Sequence, residues 1–282
     1  MNPNWMAVLS AGSGGVAALL ARRMMRIGPT RDLISFNFGL IFVMLLPAAP
    51  FFWHFAFSWQ ALVIFSLAML LDAMANIFYF MAFERLPAVT ASAVMALSPL
   101  AALALQPLLE PGFQLGILNI AGIVIVVAGL VLLARNGSNE TGAIKIKTAH
   151  LAYPLLAAVL FGVNVFPVRM LMANEWTNPY TYYLLRALLI ALLTGLVLRP
   201  KLSWLSGLRV VKLGGRLTFV IAQWLLLLAA LERGNPVVVK TLADTSPLFV
   251  VALAGTMLGE KVGWSQALGA AMTVAGMVLA VR

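Results

Sequence analysis

Cysteine is absent from the 282 residues, which excludes disulfides, thiolate catalysis and cysteine-ligated metals. Histidine is nearly absent. His54 and His150, both near the ends of apolar segments, leave little for a histidine metal site. Charge is scarce at 10% of residues, and only 9 acidic side chains stand against 19 Lys and Arg. No HExxH, GxSxG, phosphate-binding glycine loop or paired catalytic carboxylate motif occurs. Hydrolytic chemistry and ATP coupling therefore have no residues to carry them. The expectation is a chain that is not an enzyme and takes no cofactor or metal. Polar linkers are lacking as well: RNGSNETGAIKIKTAH, from Arg135 to His150, is the only long polar stretch.

Hydrocarbon fills the rest. Hydrophobic residues make up 62% of the sequence, far from the mix of a water-soluble domain. A bilayer core of about 30 Å needs about 20 apolar residues per helix. Ten stretches meet that need, at 4–21, 33–50, 60–82, 88–107, 115–134, 150–172, 180–198, 216–231, 236–257 and 264–281. β-Barrel alternation is absent. The opening MNPNWMAVLS lacks the basic region of a cleaved signal, so the first segment is expected to be retained.

The stretches form two copies of one pattern. Glu84, Arg85, Ser98, Pro99 and Leu100 recur 148 residues later as Glu232, Arg233, Ser246, Pro247 and Leu248. At an offset of 147, Gly15, Arg22, Gly122, Gly129 and Arg135 return as Gly162, Arg169, Gly269, Gly276 and Arg282. Pro29 and Pro50 return at an offset of 150 as Pro179 and Pro200. The shared residues are punctuation and charge rather than Leu and Val. Repeats of this length in an apolar chain mark a secondary transporter whose site lies where the copies meet. Five segments per copy is an odd number, so the second copy enters the membrane in the opposite sense. The expected architecture is an all-α polytopic membrane protein of ten transmembrane helices in two inverted five-helix repeats. The repeats span 1–135 and 150–282, with 136–149 as connecting loop.

The charge balance of +10 is distributed by loop rather than gathered in a patch. Fourteen Lys and Arg fall in the odd-numbered loops: Arg22, Arg23, Arg26, Arg31, Arg85, Arg135, Lys145, Lys147, Arg199, Lys201, Arg209, Lys212, Arg216 and Lys261. Three fall on the other side, Arg169, Arg233 and Arg282, while Arg186 and Lys240 lie within helices. The positive-inside rule then places both termini outside the cytoplasm, in a cell (inner) membrane. No patch interleaves aromatics with basic residues, and no nucleic-acid partner is expected.

The second-half sequence SPLFVVALAGTMLGEKVGWSQALGAAMTVAGMVLAVR resembles the EamA family of the drug/metabolite transporter superfamily. Ser246, Pro247, Leu258–Glu260, Gly269 and Gly276 carry the resemblance, and Ser98, Pro99, Glu110, Gly122 and Gly129 form a weaker version in the first half. It implies ten helices in two inverted units around a central cavity lined by helices 1, 3, 4, 6, 8 and 9. Many relatives carry basic residues between helices 2 and 3 and have cytoplasmic termini. PAAPFFWHFAFSWQ, at that place here, has neither Lys nor Arg.

Some motif residues have structural duties. The glycine pairs seven apart share one helix face, and small residues let helices approach closely in lipid. Pro99 and Pro247 each remove a backbone donor and predict a mid-helix kink. Polar groups at membrane depth are costly unless satisfied or functional, so the site is sought among them. Asp72, Asn76 and Tyr79 fall at i, i+4 and i+7, on one face. Gln223 occupies the place of Asn76 at offset 147, beside Trp224. Lys240 and Asp244 stand at i, i+4, where the two charges can neutralise each other. Arg186 and Asn164 complete the candidates. Asp72 has no basic neighbour on its own helix and is expected to face the cavity, for proton coupling or for a substrate ammonium. The Lys240–Asp244 pair is open to a structural or a substrate-binding reading.

The function these features predict is secondary, non-ATP transport of small polar metabolites, such as amino acids or related zwitterions, as exporter or facilitator. A flippase for a lipid-linked headgroup is the alternative, with an intramembrane scaffold or enzyme behind it. The expected partners are the lipid bilayer and a small-molecule substrate, in a monomer or homodimer.

Overall fold

The computed structural model describes residues 2–25, 30–109, 116–136, 148–201, 207–259 and 263–280. Among them the chain is all-helical, apart from one isolated antiparallel bridge between Phe55 and Thr177. The first half runs α1 (Pro3–Met25), α2 (Thr30–Leu45), a 3-10 turn and the short α3 (Ala49–Phe52), α4 (Trp59–Arg85), α5 (Ala88–Met95), α6 (Ser98–Leu109) and α7 (Ile117–Asn136). The second runs α8 (Ala152–Ala173), α9 (Pro179–Leu198), α10 (Gly207–Arg233), α11 (Pro236–Ala243), α12 (Ser246–Leu258) and α13 (Trp264–Ala280).

Local chemistry sets several of these limits. The Ser58 hydroxyl accepts from the Ala61 amide at 3.1 Å and starts α4. Asn178 accepts from the Thr181 amide at 2.8 Å, with Pro179 in the first turn of α9. Pro47 and Pro50 begin the 3-10 turn and α3, so the apolar run expected as one helix over 33–50 bends after Leu45. The helix expected to begin at residue 216 begins nine residues earlier, at Gly207.

Seven segments are long and apolar enough to cross a membrane: Pro3–Met24, Asp32–Phe52, Trp59–Arg85, Ala149–Ala173, Pro179–Leu198, Val210–Arg233 and Pro236–Leu258. Ile117–Val126 and Trp264–Leu279 are shorter apolar helices. The sequence expectation was ten spans; seven meet that measure among the described residues.

The expected kinks at Pro99 and Pro247 are outright breaks, and each lies just before its proline. In the first half Leu97 donates to the Val94 carbonyl and Leu100 to Leu97; in the second Thr245 donates to Leu242 and Leu248 to Thr245. These tight i, i+3 turns end α5 and α11. The proline then sits in the first turn of the next helix, where its missing N–H costs nothing.

Packing repeats with the sequence. Helix α4 packs on α8 as α10 packs on α1, and α6 packs on α8 as α12 packs on α1. A Cβ on Gly15 of α1 would stand 2.6 Å from Phe249 Cβ; one on Gly162 of α8 would fall on the Ser98 carbonyl oxygen. A Cβ on Gly129 would meet the Gly269 carbonyl oxygen at 2.8 Å, and one on Gly276 the Gly122 carbonyl oxygen at 2.7 Å. The crossing order makes α7 and α13 antiparallel. Helices α2 and α9 also run antiparallel, since the Lys201 amide donates to Asp32 while the Tyr180 hydroxyl donates to the Leu45 carbonyl. Arg22 of α1 donates to the Phe83 and Glu84 carbonyls at the end of α4, and Arg169 of α8 does the same to Leu231 and Glu232 at the end of α10. A cation there also meets the negative end of the helix dipole.

Candidate substrate cavity

Between the halves lies a cavity of about 120 Å³. Its wall takes Ser10, Gly14 and Ala18 from α1, Asn37 and Phe38 from α2, and Asn76, Tyr79, Phe80 and Phe83 from α4. Ser92 and Met95 of α5 and Ala96 of the first helix break add to it. The second half contributes Phe161, Asn164, Val165 and Val168 from α8, and Arg216, Val220, Gln223, Trp224, Leu227, Leu228 and Leu231 from α10. Lys240 and Ala243 come from α11, Asp244 from the second break and Ser246 from α12. Both helix breaks therefore open onto the same space.

Seven of the nine sequence candidates line this wall: Asn76, Tyr79, Asn164, Gln223, Trp224, Lys240 and Asp244. Asp72 and Arg186 do not. They form an ion pair with both side chains fully buried, the Arg186 Nε donating to Asp72 Oδ2 and Nη2 donating to Oδ1 at 3.2 Å. Asp72, expected to face the cavity with no basic neighbour on its own helix, instead lies outside the wall, because α9 delivers a cation that its own helix lacks. The pair sits one layer behind the wall. Asn76, in the wall, donates to the Asp72 carbonyl at 2.8 Å and to its carboxylate at 3.2 Å. Trp224, also in the wall, covers the Arg186 guanidinium at 3.7 Å from its ring centroid. A desolvated cation over an indole contributes about 2 kcal/mol. Tyr183 stacks on Trp224 with an interplanar angle of 14°.

Lys240 and Asp244 do meet, with Nζ donating to the two carboxylate oxygens at 2.6 and 2.8 Å. Asp244 is also held across the halves, since the Ser98 hydroxyl at the start of α6 donates to its Oδ2. The two breaks are thereby tied together. Both charged side chains keep some exposure, 12% and 15%. Phe161 supports Lys240, whose Nζ lies 5.9 Å from the ring centroid.

Arg216 is the residue the sequence placed wrongly. Counted as a loop cation, it is buried in the third turn of α10 and belongs to the wall. Its Nε donates to the Ala17 carbonyl at 3.2 Å, its Nη1 donates to Asn37 Oδ1, and it lies 5.5 Å from the Phe80 ring centroid. The available signal was spacing: Arg216 and Gln223 are seven apart and share one helix face. The Ser10 hydroxyl, donating to the Gln223 carbonyl at 2.8 Å, fixes α1 against that face. Among the described residues no group of His, Asp or Glu could hold a metal ion. Of the residues that carried the family resemblance, Glu110 and Glu260 lie outside the described residues.

Comparison with curated proteins returns no match. Among solved structures, one crystal structure of a protein superposes with a TM-score of 0.65 at 20% identity, over 97% of this chain and 98% of its own. At that identity the likeness speaks for the fold. The profile of the EamA-like transporter family matches twice, at residues 2–135 and 149–282. With both copies matched, apolar helices long enough to span a bilayer and a cavity between the halves into which polar side chains are set, the chain is a multi-pass membrane protein that belongs to the EamA-like transporter family, of the drug/metabolite transporter type.

Proposed function

We propose that the chain is a secondary, non-ATP transporter of small polar metabolites, amino acids or related zwitterions, working by alternating access at the repeat interface as exporter or facilitator. The observation that carries this reading is the Lys240–Asp244 pair in the cavity wall, at the break between α11 and α12. A zwitterion offers a carboxylate to Lys240 and an ammonium to Asp244, so it can replace each partner as the pair opens. A cavity of about 120 Å³ suits such a solute; drug-sized ligands occupy pockets of roughly 300–1,000 Å³.

In this reading Asn76, Tyr79, Asn164, Gln223 and Trp224 contact the solute. Asp72 and Arg186 are positioning residues that hold Asn76 and Trp224 from behind. The antiparallel crossings of α2 with α9 and of α7 with α13 support two inverted five-helix repeats and ten membrane-crossing segments. Exchange of conformation between such halves opens the cavity to each side in turn. Withdrawing the buried Arg216 from the loop count leaves thirteen cations against three. That bias still supports a cell inner membrane with both termini outside.

The test is counterflow in proteoliposomes free of ATP. Internal unlabelled amino acid should drive uptake of the labelled one, and Lys240→Gln with Asp244→Asn should fold yet lose at least about tenfold of that exchange, given charge-assisted hydrogen bonds of about 1.5–3 kcal/mol. Full exchange by the double variant would make the pair structural and remove it from the site. Movement of a labelled lipid headgroup between leaflets, without amino-acid exchange, would replace the reading with a flippase.

A further inference from the structure

The buried arginines of the described residues are Arg22, Arg186 and Arg216. Arg22 donates to carbonyls at a helix C-terminus, away from the cavity wall, and Arg186 pairs with the Asp72 carboxylate. Arg216 lies in the wall itself. Its hydrogen-bond partners, the Ala17 carbonyl, the Asn37 amide and the Tyr79 hydroxyl, are neutral, and no carboxylate among the described residues pairs with it. The Ala17 and Asn37 bonds use two of the five N–H donors of its guanidinium and the Tyr79 hydroxyl engages it as well, which leaves further N–H groups for a ligand. A buried cation without a counter-ion is costly, and at membrane depth such residues mark substrate paths.

The wall of the cavity gives the cost a purpose. Three of its residues are charged, Arg216, Lys240 and Asp244, and the last two neutralise each other. The wall therefore carries one net positive charge. A zwitterion of zero net charge leaves it uncompensated, whereas a solute of charge −1 cancels it. The repeat sharpens the point, because the position equivalent to Arg216 at offset 147 is Met69. The charge is an addition to one copy rather than part of the shared scaffold.

We propose that Arg216 is the anion-recognition residue of the cavity, and that the transported solute carries a net negative charge through a carboxylate or phosphate held by this guanidinium. Asn37, the Ala17 carbonyl and the Tyr79 hydroxyl orient the guanidinium, and its remaining N–H groups are left for the anion, a planar donor set that suits an oxyanion. The proposal rests on the reading that this cavity is the substrate site, and it narrows the solute from any zwitterion to acidic ones.

The experiment measures binding to the purified full-length protein in nanodiscs by calorimetry, with L-glutamate, its neutral isostere L-glutamine, succinate and inorganic phosphate as probes. Glutamate should bind at least about tenfold tighter than glutamine, as expected when one charge-assisted hydrogen bond is lost. Arg216→Gln should erase that preference. Because removal of a buried side chain can also harm folding, Asn37→Asp provides the second arm. It supplies Arg216 with an internal carboxylate, so the fold should hold while the preference for glutamate over glutamine is lost. Phosphate binding that outstrips glutamate and is lost in both variants supports the same residue and assigns the phosphate class. Equal binding of glutamate and glutamine by the wild type, or an undiminished glutamate preference in Asn37→Asp, overturns the proposal. Either result leaves amino-acid counterflow intact; loss of counterflow for every amino acid and zwitterion instead sinks the broader reading.

Discussion

The two halves of the molecule keep the same skeleton and differ in the groups that face the cavity. Gly15 and Gly162 receive the same helix break from the opposite copy, Arg22 and Arg169 hold equivalent helix ends, and both Ser-Pro pairs restart a broken helix. None of the charges at the centre is shared. Asp72 stands opposite Phe219, Arg216 opposite Met69, Lys240 opposite Ser92 and Asp244 opposite Ala96. Arg186 stands opposite Phe36 at the offset of 150. Only the amides approach a match, Asn76 with Gln223. The difference teaches that close packing kept the skeleton alike in both copies, while the groups that face the cavity diverged between them.

That contrast can be broken most forcefully at the buried ion pair. Arg186→Leu alone leaves the fully buried Asp72 carboxylate without its cation, and loss of one partner from such a pair costs about 3–5 kcal/mol. Thermal melting in detergent should show the variant as the least stable of the set. Asp72→Leu together with Arg186→Leu should recover most of the loss, since apolar residues stand at both equivalent positions of the other copy. If the double variant is as unstable as the single one, the pair belongs to the shared skeleton and the comparison fails there.

A smaller effect is expected where the copies agree. Gly162→Ala puts a methyl group against the Ser98 carbonyl oxygen, and Gly15→Ala puts one 2.6 Å from Phe249 Cβ. Each should cost about 1–3 kcal/mol, the range for overpacking in a close-packed interior. Equal losses would show that both breaks are gripped alike. A loss confined to Gly162 would show that the Phe249 side chain yields while the Ser98 backbone does not.

The skeleton was legible in the sequence because close approach admits few residue types. Glycines at fixed offsets, Ser-Pro pairs and repeated arginines survive two copies of drift where Leu and Val interchange. The position of the breaks was less legible. A proline reads as the point of disruption, yet it is the first residue types after the break that it suits, and the tight turns at Leu97 and Thr245 end the preceding helices. The Asp72–Arg186 pair was invisible because its partners lie 114 residues apart and meet only when α4 packs beside α9. Arg216 was hidden by company: Arg209 and Lys212 precede it and suggested a polar loop, whereas α10 already begins at Gly207.

The smallest predicted effect tests why some glycines repeat and others do not. Gly39 of α2 and Gly195 of α9 have nothing within 4 Å of where a Cβ would stand. Their counterparts at the offset of 150 are Leu189 and Leu45, so the duplication has not preserved glycine at either place. If close approach is what retains glycine, these two are free to change. Alanine favours a helix interior over glycine by about 1 kcal/mol. Gly39→Ala and Gly195→Ala should therefore each raise the melting temperature slightly and leave counterflow unaltered. A drop in stability at either position would mean that the glycine serves a contact made only when the cavity faces the other side of the membrane, and the division between retained and discarded glycines would then follow the transport cycle rather than a single packed state.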